Sequence, residues 1–171
     1  ADHSYRLDGE RLFSVTEILA DNRLIDTRWF TPEGRERGKL VHRVVEYDLA
    51  NDLDEESLED VGQSWRHPET GERIDLFQPG EVLGYLRSAR ATVRSLEFVP
   101  MKTGEYLPLC GLGGLAVEVP LWHPAYLYAG TFDTVGTVNG DLARKTLIDW
   151  KLGASNAGER IQTALYVHLL K

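Results

Sequence analysis

Cysteine is almost absent from this chain. Cys110 is the only one in 171 residues, which excludes an internal disulfide framework and any all-cysteine zinc or iron–sulfur centre. It also fits a reducing, cytoplasmic setting. Long apolar runs are missing as well. None approaches the roughly 18 residues of a membrane-spanning helix, and residues 1–10 lack the apolar segment of a secretory signal, so no membrane partner is expected. Bases are in the minority, with 19 Lys and Arg against 27 Asp and Glu and a net charge of −8. That balance argues against a protein that simply coats nucleic acid, which is usually basic. It leaves open a site where bound cations reverse the local field. The missing initiator Met, and an end inside or just after the last helix, lead us to expect a processed or trimmed chain.

What is present reads as globular. Hydrophobic residues make up 42% and charged residues 27%, which separates the chain from disordered sequences. The length suits a single domain over residues 1–171 that needs no staples to fold. Asp8-Gly9 marks a short hairpin, and Ser14-Val15-Thr16-Glu17 is a capping box opening a short helix. Thr31-Pro32 starts a second helix reaching about Ala50, with Leu40, Val41, Val44, Val45 and Leu49 as its apolar stripe. Residues 51–78 are rich in Asp, Glu, Gly and Pro, and predict a surface loop excursion with one short helix near 55–60. A third helix is expected over 79–96. Strands follow at 115–122, 127–138 and 146–151, with a turn at Asn139-Gly140. A final helix covers 158–171, with Ile161, Leu165 and Leu169 on one side. This order predicts a mixed α/β layer fold.

The chemistry concentrates in Gly130-Thr131-Phe132-Asp133 and Leu147-Ile148-Asp149-Trp150-Lys151. Two apart on a strand, Asp149 and Lys151 share a face; a loop centred near Asp141 would set Asp133 opposite Asp149, whereas a tighter turn at Asn139-Gly140 would shift that register. Alone, an Asp-x-Lys on a strand is an ordinary solvated pair. Here Leu147, Ile148 and Trp150 make the strand apolar, and buried strands do not carry Asp and Lys without a partner. Two buried carboxylates repel unless a cation compensates them. Mg²⁺ or Mn²⁺ suits such a pair, with positions left for water and phosphate oxygens. Such a cation polarises a phosphodiester and activates water, while Lys151 orients the water or stabilises charge on the phosphate. On the second helix Arg35, Lys39, His42 and Glu46 share a face. A basic strip ending in a histidine suits a phosphate backbone, and the competing reading is a surface histidine paired with Glu46. Glu118 alternates with Val117 and Val119, as either an exposed strand residue or a further acid.

Together, Gly-Thr-Phe-Asp at 130–133, Ile-Asp-Trp-Lys at 148–151 and Gln162-x-x-x-Tyr166 resemble the PD-(D/E)XK nuclease superfamily, in its RecB-like branch that includes phage exonucleases. Residues 37–46 and 14–19 are similar to that branch's histidine-bearing helix and to its opening segment. The resemblance runs from about Phe13 to Tyr166, and residues 51–115 add nothing to it. It implies a restriction-endonuclease-like core, a central mixed sheet flanked by helices. It implies His42, Asp133, Asp149 and the Trp150 carbonyl as metal ligands, Lys151 as the catalytic lysine, and Glu118 assisting the metal or its water. Gln162 and Tyr166 would line the site, with Arg37 and Lys39 contacting substrate. The implied activity is a Mg²⁺- or Mn²⁺-dependent DNA exonuclease of phage or bacterial replication, recombination or repair. It would act on ends or single strands beside replication or recombination proteins. With Cys110 alone, the iron–sulfur cluster of many relatives is not expected, and helicase motifs are missing.

Two rivals belong to other classes. A non-catalytic nucleic-acid-binding or interaction module keeping the fold is the rival that the acidic balance favours most. A carboxylate glycosidase would also pair acids but needs neither Lys151 nor His42. Weaker signals read as structure: Gly111-Leu112-Gly113-Gly114 as a turn, His67 and His123 before prolines as loop residues, and Arg87, Arg90 and Arg94 as a solvated helix face, with tracking of a nucleic-acid backbone as the weaker alternative.

Overall fold

The computed structural model describes residues 4–26, 31–102, 114–152 and 157–170. Cys110 and Gly111–113 of the expected glycine turn lie outside them. The fold is mixed α/β, with a mixed sheet flanked by helices. The chain that reads as one domain groups into two compact units. The first holds Ala1–Thr27, Lys102–Val135 and Leu147–Lys171, and the second Arg28–Met101 and Gly136–Thr146.

In the first unit, β1 (Tyr5–Leu7) and β2 (Glu10–Ser14) form an antiparallel hairpin. Asp8 and Gly9 take the left-handed φ values of 51° and 88° that its tight turn requires. Helix α1 (Val15–Asp21) starts at the expected capping box. The Glu17 amide donates to Ser14 Oγ at 3.1 Å, and the Ser14 amide to Glu17 Oε2 at 2.7 Å. Strand β6 (Val117–His123) runs antiparallel to the long β7 (Tyr128–Thr137), and β2 joins β7 in parallel through Phe13 and Ser14. Leu12, Val15, Leu19, Val117, Val119, Leu121 and Phe132 are buried around this sheet. Each such side chain contributes about 1.5–3 kcal/mol on leaving water.

Helix α4 (Ala157–Leu169) packs against α1 and β6. Its most buried side chain is Tyr166, 6% exposed, while Ile161 of the Ile161–Leu165–Leu169 side is 39% exposed. The cause is Gly130 on β7, whose missing side chain leaves room for the Tyr166 ring. The Tyr128 hydroxyl donates to the Leu165 carbonyl at 3.3 Å and lies 2.8 Å from His168 Nδ1, which ties α4 to β7.

In the second unit, Thr31 caps α2 (Pro32–Leu49) by accepting from the Gly34 amide at 3.1 Å, with proline in the first helical turn as expected. Val41, Val44 and Val45 are buried, and α3 (Glu81–Ser95) packs against α2. Arg90 is not on a merely solvated face. It grips both carboxylate oxygens of Asp48 through Nε at 3.0 and 3.1 Å, and reaches Glu55. Residues 51–78 contain the expected short helix, a 3-10 turn at Glu55–Asp60, and a small hairpin of β3 (Trp65–Arg66) and β4 (Arg73–Ile74). Leu58, Leu76 and Phe77 from this segment are buried, so it packs rather than loops freely. Strand β5 (Val99–Pro100) pairs with Thr137 and Gly136 at the end of β7. Strand β8 (Lys145–Ile148) also pairs with β7. Among the described residues no helix is long and apolar enough to cross a membrane.

Candidate functional site

Asp133 sits near the middle of β7, between buried Phe132 and buried Thr134, and is itself only 7% exposed. A carboxylate in such a place needs donors or a cation. One donor is the Trp150 amide, which hydrogen-bonds to Asp133 Oδ2. That bond fixes where the Asp149–Lys151 segment lies. Sequence pattern extends the last strand to residue 151, but β8 ends at Ile148. Asp149 and Lys151 therefore follow the strand rather than sharing its face. The physical reason lies in the bond itself: the Trp150 amide is spent on the Asp133 side chain instead of a ladder partner.

Asp149 is brought to the same place by this turn of chain. Its side chain is only 9% exposed, and Lys151 Nζ lies 2.9 and 2.8 Å from its two carboxylate oxygens. Even so, its pKa is pushed up to about 6, first by burial, then by the negative charge of Asp133, against the lowering effect of Lys151. One lysine, itself 33% exposed, does not neutralise two buried acids.

Glu118 supplies a third carboxylate. It falls between the Val117–Thr134 and Val119–Phe132 rungs, opposite Asp133. Its backbone is left-handed, at φ 48°, a conformation that costs a side-chain-bearing residue about 1–3 kcal/mol and clusters at functional sites. A carboxylate oxygen of Glu118 lies within 4.8 Å of one of Asp133. Such oxygen donors are chemically fit to hold a metal ion.

Two tyrosines edge this acidic group. The Tyr166 hydroxyl accepts from Gln162 Nε2 at 3.0 Å. Burial raises its pKa strongly, with smaller contributions from Asp149 and Asp133. Gln162 and Tyr166 are thus placed together, as their spacing on α4 suggests. Tyr5 is a residue that sequence pattern missed. Its hydroxyl lies 3.0 Å from Thr131 Oγ1, and Glu118 is among the charges acting on it. Nothing in a three-residue opening strand marks it in advance.

The remaining candidates belong to the second unit. His42 lies partly buried on α2. Arg37 is turned into its own unit: it donates to the Leu76 carbonyl at 2.6 Å, pairs with Glu81 and lies 4.9 Å from the Phe77 ring centre. Lys39 is 45% exposed and pairs with Glu36 at 3.5 Å. Comparison of the chain with known protein families, curated proteins and solved structures finds no match.

Proposed function

We propose that this chain is a metal-dependent nuclease that hydrolyses DNA phosphodiesters with Mg²⁺ or Mn²⁺. One observation carries this reading: the Trp150 amide docks on Asp133 and thereby sets the Asp149–Lys151 pair beside a second buried acid. Two acids and an amine brought together in this way suit phosphodiester hydrolysis. Asp133, Asp149 and Glu118 are the groups to hold the cation. When bound, it polarises the phosphodiester and eases deprotonation of a water. Lys151 contributes an ammonium whose exposed part can donate to a phosphate oxygen or orient that water. Gln162 and Tyr166 form a wall of the site through their mutual hydrogen bond.

The sequence resemblance supports exonuclease action on ends or single strands, in phage or bacterial replication, recombination or repair. It further assigns His42 and the Trp150 carbonyl as ligands, and Lys39 and Arg37 as substrate contacts. Of the last two, Lys39 is the better candidate, because Arg37 is engaged within its own unit. The rival, a non-catalytic nucleic-acid-binding or interaction module, rests on the net charge of −8.

The test uses end-labelled linear DNA and closed circular DNA with Mg²⁺, Mn²⁺ or EDTA. We expect loss of linear DNA only, none in EDTA, a fall on the order of 10²–10³-fold for Lys151→Ala, and no activity for Asp149→Ala. Degradation in EDTA, or full activity of Lys151→Ala, overturns the assignment. Binding without cleavage under every metal condition favours the module.

A further inference from the structure

Along β6 the side chains alternate between buried and open. Val117, Val119 and Leu121 are buried, while Pro120 and Trp122 are exposed, Trp122 by 40%. Pro120 and Trp122 share one face of the sheet, since positions two apart leave a strand on the same side. Register carries that face onto β7. Pro120 stands opposite Thr131, and Trp122 opposite Ala129, two and four residues from Asp133. Ser14 of β2 extends the last row beyond Ala129. The acidic group therefore stands at one end of a short track and an open indole at the other, about 13 Å away at the rise of a strand. The row between holds Thr131 and Pro120, with the Tyr5 hydroxyl 3.0 Å from Thr131 Oγ1. Neither this row nor that of Trp122, Ala129 and Ser14 carries an acid, so their own side chains do not repel a polyanion. The other aromatics at this end of β6 are engaged. His123 stacks on Tyr128 and His168, with ring centres 5.9 and 4.6 Å apart, and the Tyr126 ring lies 4.7 Å from His123. Among the described residues no ring contact holds Trp122. One Trp beside one Pro falls far short of the roughly 800 Å² a side that a stable protein partner covers. A base needs only one aromatic face.

We propose that Trp122 is a specificity-determining residue: its indole stacks an unpaired base of the DNA strand whose phosphate lies at the Asp133–Asp149 group, and so favours single-stranded ends. That base is about four nucleotides from the phosphate in a strand kept at duplex rise, and nearer in a more extended one. Bases inside a duplex are already stacked, and freeing one costs energy, so the indole discriminates against paired DNA. This deepens the nuclease reading above and rests on it.

Cleavage kinetics on single-stranded and blunt duplex oligonucleotides of one sequence test it, with the parent, Trp122→Ala and Trp122→Phe. A third substrate is a single strand with abasic nucleotides within about four positions of the cleaved bond, on one side and then on the other. We expect Trp122→Ala to raise KM for the single strand about tenfold, the effect of losing one stacked base. Its kcat should move less, and its KM for the duplex should stay near that of the parent. Trp122→Phe should keep most of the affinity, and melting temperatures should match. Abasic nucleotides on one side should cost the parent a similar factor and cost Trp122→Ala little more. If the parent degrades DNA and Trp122→Ala keeps its KM for single strands, the inference falls while the nuclease reading stands. The same follows if Trp122→Ala loses equally on duplex and single strand, or loses as much as the parent on the abasic strand. If the parent degrades no DNA at all, the nuclease reading fails and this inference fails with it.

Discussion

A methyl group at position 130 would lie 2.6 Å from Tyr166 Cε1 and 3.0 Å from Val15 Cγ2. Both neighbours are buried and cannot swing aside. Gly130→Ala should therefore overpack this contact, cost about 1–3 kcal/mol, and lower the melting temperature by several degrees in a thermal scan. It should also disturb the Gln162–Tyr166 bond, so any activity should fall further than stability alone explains. Asp149 supplies a second outcome at this scale. Its pKa is raised in the folded state from the ordinary 3.8 to about 6. Between those values the folded chain holds a proton that the unfolded chain releases. Stability from this group therefore falls as pH rises from about 4 to about 6, and the full penalty persists above that range. Asp149→Asn should remove the penalty, so the variant should gain in melting temperature over the parent as pH increases through that window and then hold its lead. A cation favours the charged carboxylate, which gives the opposite slope for binding. Mn²⁺ affinity should rise with pH up to about 6 and flatten beyond it, by up to about tenfold per pH unit for one released proton. A flat binding profile from pH 4 to 6 would remove Asp149 from the ligand set.

Elements whose ends are set by local chemistry were legible from the sequence. Ser14 and Glu17 close a capping box, and Thr31-Pro32 opens α2, because both signals act within four residues. The two His-Pro dipeptides each open a turn by a shared device, His67 within the 51–78 segment and His123 as the last residue of β6 rather than in a loop. His67 Nδ1 accepts from the Glu69 and Thr70 amides at 3.2 and 3.3 Å, and the Gly71 amide donates to the His67 carbonyl at 2.8 Å. His123 Nδ1 accepts from the Ala125 and Tyr126 amides at 3.2 and 3.3 Å, and the Leu127 amide donates to the His123 carbonyl at 2.9 Å. Each imidazole does what an Asn or Asp does in an Asx turn, and the proline between supplies a fixed φ and no competing N–H. His123→Asn should keep an acceptor and nearly full stability. His123→Ala should lose about 0.5–1.5 kcal/mol by urea titration, and equal losses in both variants would refute the acceptor role. What could not be read in advance depends on contacts between distant residues. β8 stops at Ile148 because the Trp150 amide, 17 residues beyond Asp133, bonds to that side chain. Tyr166 rather than Ile161 is buried on α4 because a glycine on β7 makes room for the ring. No period along α4 carries that information. The acid–acid–lysine set was legible as residue types, whereas the Tyr5–Thr131 contact spans 126 positions and was not.

For the molecule as a whole, a net charge of −8 opposes approach to a polyanion, so binding of DNA should depend on cations held by the acidic group. The groups proposed for the site, Glu118, Asp133, Asp149 and Lys151, all belong to the first unit. A ligand that binds only the folded form raises stability by mass action, and amides that exchange through local opening report where it acts. Hydrogen exchange with and without Mn²⁺ should therefore show added protection at the Trp150 amide and along β6 and β7, reversed by EDTA. Amides of α3, in the second unit, should exchange locally at an unchanged rate. The behaviour of α2 bears on the residue that resemblance alone assigns. If His42 ligates the cation, the turn of α2 around it should gain protection together with β7, and His42→Ala should abolish that gain while leaving the protection at Trp150. Should protection rise around His42 but not at Trp150, the cation is held elsewhere, and the acidic group on β6, β7 and the segment after β8 loses its claim to it.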